Sequence, residues 1–200
     1  MSRAVSHALR HEPWAYGLEL DEHGWVSVDA LVRALLQYRW PRVTASDVEA
    51  MVTTASKQRH EIDGGRIRAL YGHSVSGHLH RVPARPPDLL FHGTSPQAIA
   101  VILREGLRPM QRQFVHLSVD RQTAVAVGTR RVSAAVVLQV AAGAAAEAGV
   151  CFYPGNENVW LADDVPAEFV DRADRQAPPV ADESARESTM AEPTDVRTSP

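Results

Sequence analysis

His60-Glu61-Ile62-Asp63-Gly64-Gly65-Arg66-Ile67-Arg68-Ala69-Leu70 is the stretch that decides the first half of the fold. Two short extended runs flank Asp63-Gly64-Gly65, and a glycine pair after an aspartate supplies the positive φ angles of a tight hairpin turn. The residues before it read as helices. A short helix spans roughly Arg3 to Arg10, Trp25-Val26-Ser27 is a brief extended piece, and Val28 to Tyr38 forms a helix with Leu31, Leu35 and Leu36 facing inward. Thr44-Ala45-Ser46-Asp47 carries a capping-box pattern, with Asp where Glu is usual, and opens a helix running to about Ser56.

Helices followed by a hairpin predict a winged-helix-like module over residues 1–80. Three prolines and a glycine in residues 76–88 then mark a linker. The second half begins with a strand at Leu89-Leu90-Phe91 that leads into His92-Gly93-Thr94. Ser95-Pro96 caps and begins a helix with Ile99, Ile102 and Leu103 on one face, and Gly106 ends it as a left-handed cap. Short strands are expected at Phe114–Leu117, Ala134–Val140, Val150–Tyr153 and Val159–Leu161, with a helix from Asp120 to Val127. Two helices among so many strands predict an α+β region with a mostly antiparallel sheet over residues 81–172. Residues 173–200 have hardly any large apolar side chains to offset their ordering entropy, and a disordered tail is expected.

The 44% apolar and 22% charged composition is that of an ordinary globular chain, and no apolar run is long enough to span a membrane. The single cysteine, Cys151, excludes an internal disulfide, so a cytoplasmic, monomeric protein is expected. The net charge of −3 argues at first against a nucleic-acid partner. All of it resides in the tail, however, where six acids face three arginines. Residues 1–172 are neutral and can still hold a local basic cleft.

Several chemistries are absent. No GxGxxG follows a strand, no Walker loop is present, and no cluster has zinc-ligand spacing. What remains is a scatter of arginines and histidines beside turn glycines. Arg10-His11 closes the first helix, where a basic pair also suits the helix dipole. Arg68 alternates with Ile67 and Ala69 and so faces the polar side of its strand, as a solvated residue would also do. Gly72-His73-Ser74 offers donors to an oxyanion, or is a simple turn. His92-Gly93-Thr94 places an imidazole and backbone amides at a strand end, where glycine lets a ligand approach the main chain. Arg112, Phe114, His116 and Ser118 alternate, so on one strand they share a face.

The order of these pieces is more telling than any one of them. LRH, WVSVDALV, KQRHEIDGGRIRA, GHS, LLFHGT, EGLRPMQRQFVHLS, VGTR and FYPGNENVWLADDVP run in sequence from about Ser6 to Phe169. In this the chain resembles the RNA 2′-phosphotransferase family. The resemblance implies a winged-helix-like N-terminal lobe and an ADP-ribosyltransferase-like C-terminal lobe. It implies removal of an internal 2′-phosphate from RNA with NAD as co-substrate and no metal. The phosphate attacks the anomeric carbon of the nicotinamide ribose, and the 2″-hydroxyl then attacks the phosphate. The products are 2′-hydroxyl RNA, nicotinamide and ADP-ribose 1″,2″-cyclic phosphate.

By the same resemblance Arg10, His11, Arg68 and Arg112 match the catalytic set. His92, Gly93, Thr94, His116, Ser118 and Arg130 match NAD contacts, and Gly72, His73 and Ser74 meet the RNA phosphate. Guanidinium forks suit a dianionic phosphate. Two departures stand out: Leu70-Tyr71 where the family usually has Asn-Gln, and His60 where it usually has Phe. Leu70 is expected to remove a polar contact to RNA. Two alternatives compete. One is an ADP-ribosyltransferase acting on a nucleic-acid terminal phosphate or a protein. The other is a nucleic-acid-binding protein without catalysis, which the neutral body disfavours.

Overall fold

The computed structural model describes residues 1–38, 40–129 and 135–173. Arg130 and the tail from residue 174 lie outside them. The first sheet and its helices follow the expected order: α1 (Ser2–Arg10), β1 (Val26–Ser27), α2 (Val28–Tyr38), α3 (Ala45–Thr53), β2 (His60–Asp63) and β3 (Arg66–Ala69). The strands pair antiparallel in the order β1-β3-β2. The hairpin register sets His60 against Ala69 and Asp63 against Arg66, with Gly64 and Gly65 both at positive φ in the turn.

Helical spacing explains the core beneath this sheet. Val5, Ala8 and Leu9 of α1, Leu31 and Leu35 of α2, Val48 of α3 and Ile67 of β3 are fully or nearly fully buried. Leu36 is not inward as the sequence suggested, and is 41% exposed. One residue past Leu35 the helix has turned by ~100°, off the buried stripe. The capping box at Thr44 and Asp47 is present on both sides. Helix α3 stops at Thr53, short of Ser56, where the Thr53 and Thr54 hydroxyls turn back to bond the Glu49 and Ala50 carbonyls.

The second half contains β4 (Leu90–Thr94), α4 (Ile99–Glu105), β5 (Val115–Ser118), α5 (Arg121–Gly128), β6 (Val136–Val140), α6 (Ala142–Glu147), β7 (Phe152–Asn156), β8 (Val159–Ala162) and β9 (Val170–Arg172). Its six strands run β7-β8-β5-β4-β6-β9, every pairing antiparallel. Together the two halves form an α+β protein with antiparallel sheets. Leu90, Val115, Leu117, Leu138, Val140 and Phe152 form the core of this sheet.

Three expectations change here. Helix α6 was not anticipated, because a run of alanines has no large apolar periodicity; its signal is alanine's helix propensity alone. His92-Gly93-Thr94 does not leave the strand, since β4 continues through Thr94, paired with Val136. Gly93 is also required by packing: a Cβ there would collide with the Ala124 carbonyl of α5. Gly106 has φ 85° but ψ −175°, outside the left-handed helical region. It turns the chain into a two-way backbone bridge between Leu107 and Val165.

Residues 70–89 contain no helix or strand, yet they are fastened. The Gln113 side chain accepts from Leu79 N at 3.1 Å and donates to Gly77 O at 2.7 Å. Ala84 N donates to Phe152 O at 2.9 Å, and Asn156 Nδ2 donates to Gln58 O at 2.7 Å. The two sheets are thus joined by specific bonds.

Gly93→Ala forces α5 off the sheet and lowers stability by about 1–3 kcal/mol. Chemical denaturation with and without the substitution measures this; an unchanged midpoint contradicts the packing role.

Candidate functional site

Arg10, the last residue of α1, stands at the seam between the sheets. Its carbonyl accepts from Ser74 N at 2.9 Å, and its Nη2 donates to Arg59 O at 3.1 Å. The guanidinium lies 5.1 Å from the Tyr71 ring centroid. Gly72, at φ 91°, passes so close that a Cβ would sit 3.4 Å from Arg10 Nη1. Burial pulls the Arg10 pKa down to about 10, and the charges of Arg59 and Arg112 act in the same direction, while Tyr71 opposes them. No carboxylate ion pair to Arg10 exists among the described residues. Its Nε is buried without a partner.

His11 follows Arg10 out of the helix, and its Nδ1 shares a 2.8 Å hydrogen bond with Ser74 Oγ. Burial, then His7, Arg10 and Arg112, depress its pKa and favour the neutral ring. His73 is almost fully enclosed, and burial with the nearby Arg81 charge takes its pKa to about 3. Gly72, His73 and Ser74 therefore wrap the end of α1.

The opposite wall comes from the second sheet. His92 Nδ1 donates to the His116 carbonyl at 3.0 Å, and His116 Nδ1 donates to the Phe114 carbonyl at 3.0 Å. A carbonyl can only accept, so each Nδ1 carries the proton and each neutral ring presents Nε2 as an acceptor. Burial lowers both pKa values, that of His116 to about 3, which keeps both rings neutral. His116 Nε2 is buried and unpartnered. Two acceptor nitrogens on one wall fit a ligand rich in hydroxyl donors, such as a ribose. Thr94 ends β4, half-buried, and Ser118 is buried where β5 meets β4.

Arg112 connects the walls. Its charge is felt at Arg10, His11, His92 and His116. It does not share a strand face with Phe114, His116 and Ser118, because β5 starts only at Val115. Arg112 N instead closes a turn on Pro109 O, beside Met110 at φ 60°. A non-glycine residue in that region is sparsely populated, and such outliers gather at functional sites.

Arg68 is less exposed than its alternation implied. It grips Glu61 through Nε and Nη2, both at 3.1 Å, and lies 4.5 Å from the Trp25 ring centroid. Its charge acts on Arg81, whose charge acts on His73, so it joins the cluster at one remove. Arg81 was missed in the linker; burial lowers its pKa to about 10, and its Nε has no partner. Tyr71 was noted only as a departure from the family's pattern. Its ring meets Arg10 on one side and His116 at 6.1 Å on the other. Leu70 is core, not an RNA-facing position, and His60 fills a buried slot with its Nε2 3.1 Å from Ser6 Oγ.

A family model described as RNA 2′-phosphotransferase, Tpt1 / KptA family, matches residues 1–164. The chain belongs to the RNA 2′-phosphotransferase family. The match runs from α1 through β8 and so includes Arg10, His11, His92, Arg112 and His116. A relative in Bacillus thuringiensis subsp. konkukian is 49% identical over 171 residues, covering 85% of this chain and 92% of its own. Relatives in Acetivibrio thermocellus and Streptomyces coelicolor are 44% and 42% identical, again over 85% of this chain and over 94% and 92% of their own. Each bears the name "Probable RNA 2′-phosphotransferase".

The buried histidines of this family member make acid stability a readout. His60, His73 and His116 titrate at about 4, 3 and 3 when folded, against 6.5 for an ordinary histidine. Below pH 6.5 each takes up a proton on unfolding, so their contribution to stability is full above pH 6.5 and is lost as pH drops from there toward 3. Substituting His60→Phe removes one such proton and flattens the slope by up to about 1.4 kcal/mol per pH unit. Denaturation at several pH values tests this, and identical slopes refute it.

Proposed function

We propose that the chain removes a 2′-phosphate from RNA with NAD as co-substrate. A winged-helix-like lobe (1–80) and an ADP-ribosyltransferase-like lobe (81–172) would form the two walls of the cleft. One observation carries the reading: the Tyr71 ring lies 5.1 Å from the Arg10 guanidinium and 6.1 Å from the His116 ring, which brings the basic end of α1 next to the histidines of the second sheet. A dianion and a hydroxyl-rich ligand could therefore meet there.

Arg10 and Arg112 hold the phosphate, and their desolvated charge stabilises the negative charge that builds up during phosphoryl transfer. Arg68 is released from Glu61 or shares it when the anion enters. His11, neutral and hydrogen-bonded to Ser74, is able to take a proton from an attacking hydroxyl. Gly72, His73 and Ser74 bring the RNA backbone to the end of α1. His92 and His116 accept from ribose hydroxyls through Nε2, with Thr94, Ser118 and Arg130 as further NAD contacts. NAD supplies an anomeric carbon open to attack, a nicotinamide that leaves uncharged, and a ribose hydroxyl that takes the phosphate away as a cyclic ester.

Mixing the protein with NAD and an RNA bearing one internal 2′-phosphate should yield 2′-hydroxyl RNA, nicotinamide and ADP-ribose 1″,2″-cyclic phosphate by mass spectrometry. ADP-ribose that stays attached to its acceptor, with no cyclic product, would favour plain ADP-ribosyl transfer. Arg68→Ala should cut turnover roughly 100- to 1,000-fold with the fold retained. Unchanged dephosphorylation by that variant removes Arg68 from the site.

A further inference from the structure

Resting on the RNA reaction proposed above, we propose a second RNA-binding site: a stacking track for single-stranded nucleotides that flank the 2′-phosphate. It starts at His11 and ends in a groove between the start of α1 and the end of α2. The rings follow one another without a gap. His11 and His7 have centroids 5.9 Å apart, and His7 and Tyr16 5.8 Å. Tyr16 and Tyr38 are stacked at 4.6 Å with 29° between their planes.

Core packing does not account for the outer members. Tyr16 and Trp40 pack partly against the core, but Tyr38 does not, and it is 53% exposed. Trp14, on the same turn as Tyr16, is 62% exposed. Beyond Tyr38 lies an open groove of about 720 Å³ lined by Met1, Ser2, Arg3, Ala4, Tyr38 and Trp40. It has two aromatic rings, one guanidinium and no acid. Arg42 is exposed two residues past Trp40.

This is the chemistry of single-strand recognition, in which aromatic faces take bases of any identity and arginines take the backbone. Continuity with His11 selects RNA over an unrelated partner. The geometry also gives a length. Eight residue steps from Ser2 to Arg10 at ~1.5 Å each span ~12 Å. Stacked nucleotides advance ~3.4 Å, so the groove lies about three to four nucleotides from the phosphate.

The test measures kcat and KM on 2′-phosphorylated RNAs with zero, two, four or six unpaired nucleotides on either side. Wild-type KM should fall about tenfold as one flank reaches four nucleotides, the effect of one well-stacked base. Tyr38→Ala should erase that gain and leave kcat/KM on the shortest RNA unchanged, while Tyr38→Phe keeps it. A KM indifferent to flank length, or a gain that survives Tyr38→Ala, overturns the track. The same series is run as anisotropy binding of 2′-hydroxyl RNA, which separates the two proposals. Absent turnover with Tyr38-dependent, length-dependent binding sinks the reaction and keeps the track; turnover without such binding and without a flank effect does the reverse. A Tyr38-sensitive dimer in sedimentation with no effect of RNA length assigns the groove to a second copy and overturns the track.

Discussion

A cation taken out of water with no carboxylate among the described residues to meet it is the constraint around which this protein is arranged. Arg10 is held by the Arg59 carbonyl and the Tyr71 ring, neither of which neutralises it. Desolvating such a charge costs several kcal/mol, and proteins keep buried cations by pairing them or by leaving room for an anion. Here Arg59 and Arg112 add repulsion. The rest of the fold supplies the energy that holds the group in place: α1 is anchored by Val5, Ala8 and Leu9, and Gly72 passes the guanidinium at a positive φ that favours glycine.

The second wall is arranged by the opposite logic. Its histidines are kept neutral by burial and fixed in one tautomer by the carbonyls of His116 and Phe114, which leaves Nε2 of each ring as an acceptor. A seam with fixed cations on one side and fixed lone pairs on the other discriminates by charge and donor pattern before any chemistry begins. Arg112 sits in a turn and not on the sheet, so the residue that couples the two walls is also the one whose backbone neighbour, Met110, is in an unfavourable conformation. Local strain there is consistent with a position set by function and not by packing.

Much of the fold was legible. The Asp63-Gly64-Gly65 turn, the Thr44 cap and the helix from Val28 to Tyr38 each have a local cause, and local causes survive folding. What was not legible depended on distant partners. Nothing in the His92-Gly93-Thr94 tripeptide reveals that Ala124 lies against Gly93. Leu70 looked like a lost polar contact, and only burial shows it to be core. Arg81 carried no motif and Tyr71 stood out only as a departure from the family's Asn-Gln, since their significance is their proximity to Arg68, Arg10 and His116. Arg10, His11 and the HGT histidine were found through order along the chain, and their convergence became visible only in three dimensions.

The most direct test of that convergence is a double-mutant cycle on Arg10→Ala and Arg112→Ala. It reads how much more tightly each protein binds 2′-phosphorylated RNA than 2′-hydroxyl RNA. Two guanidiniums on one phosphate predict strongly non-additive losses, with a coupling of about 0.5–3 kcal/mol. Losses that add to within about 0.5 kcal/mol would mean that the two arginines never meet on the same anion.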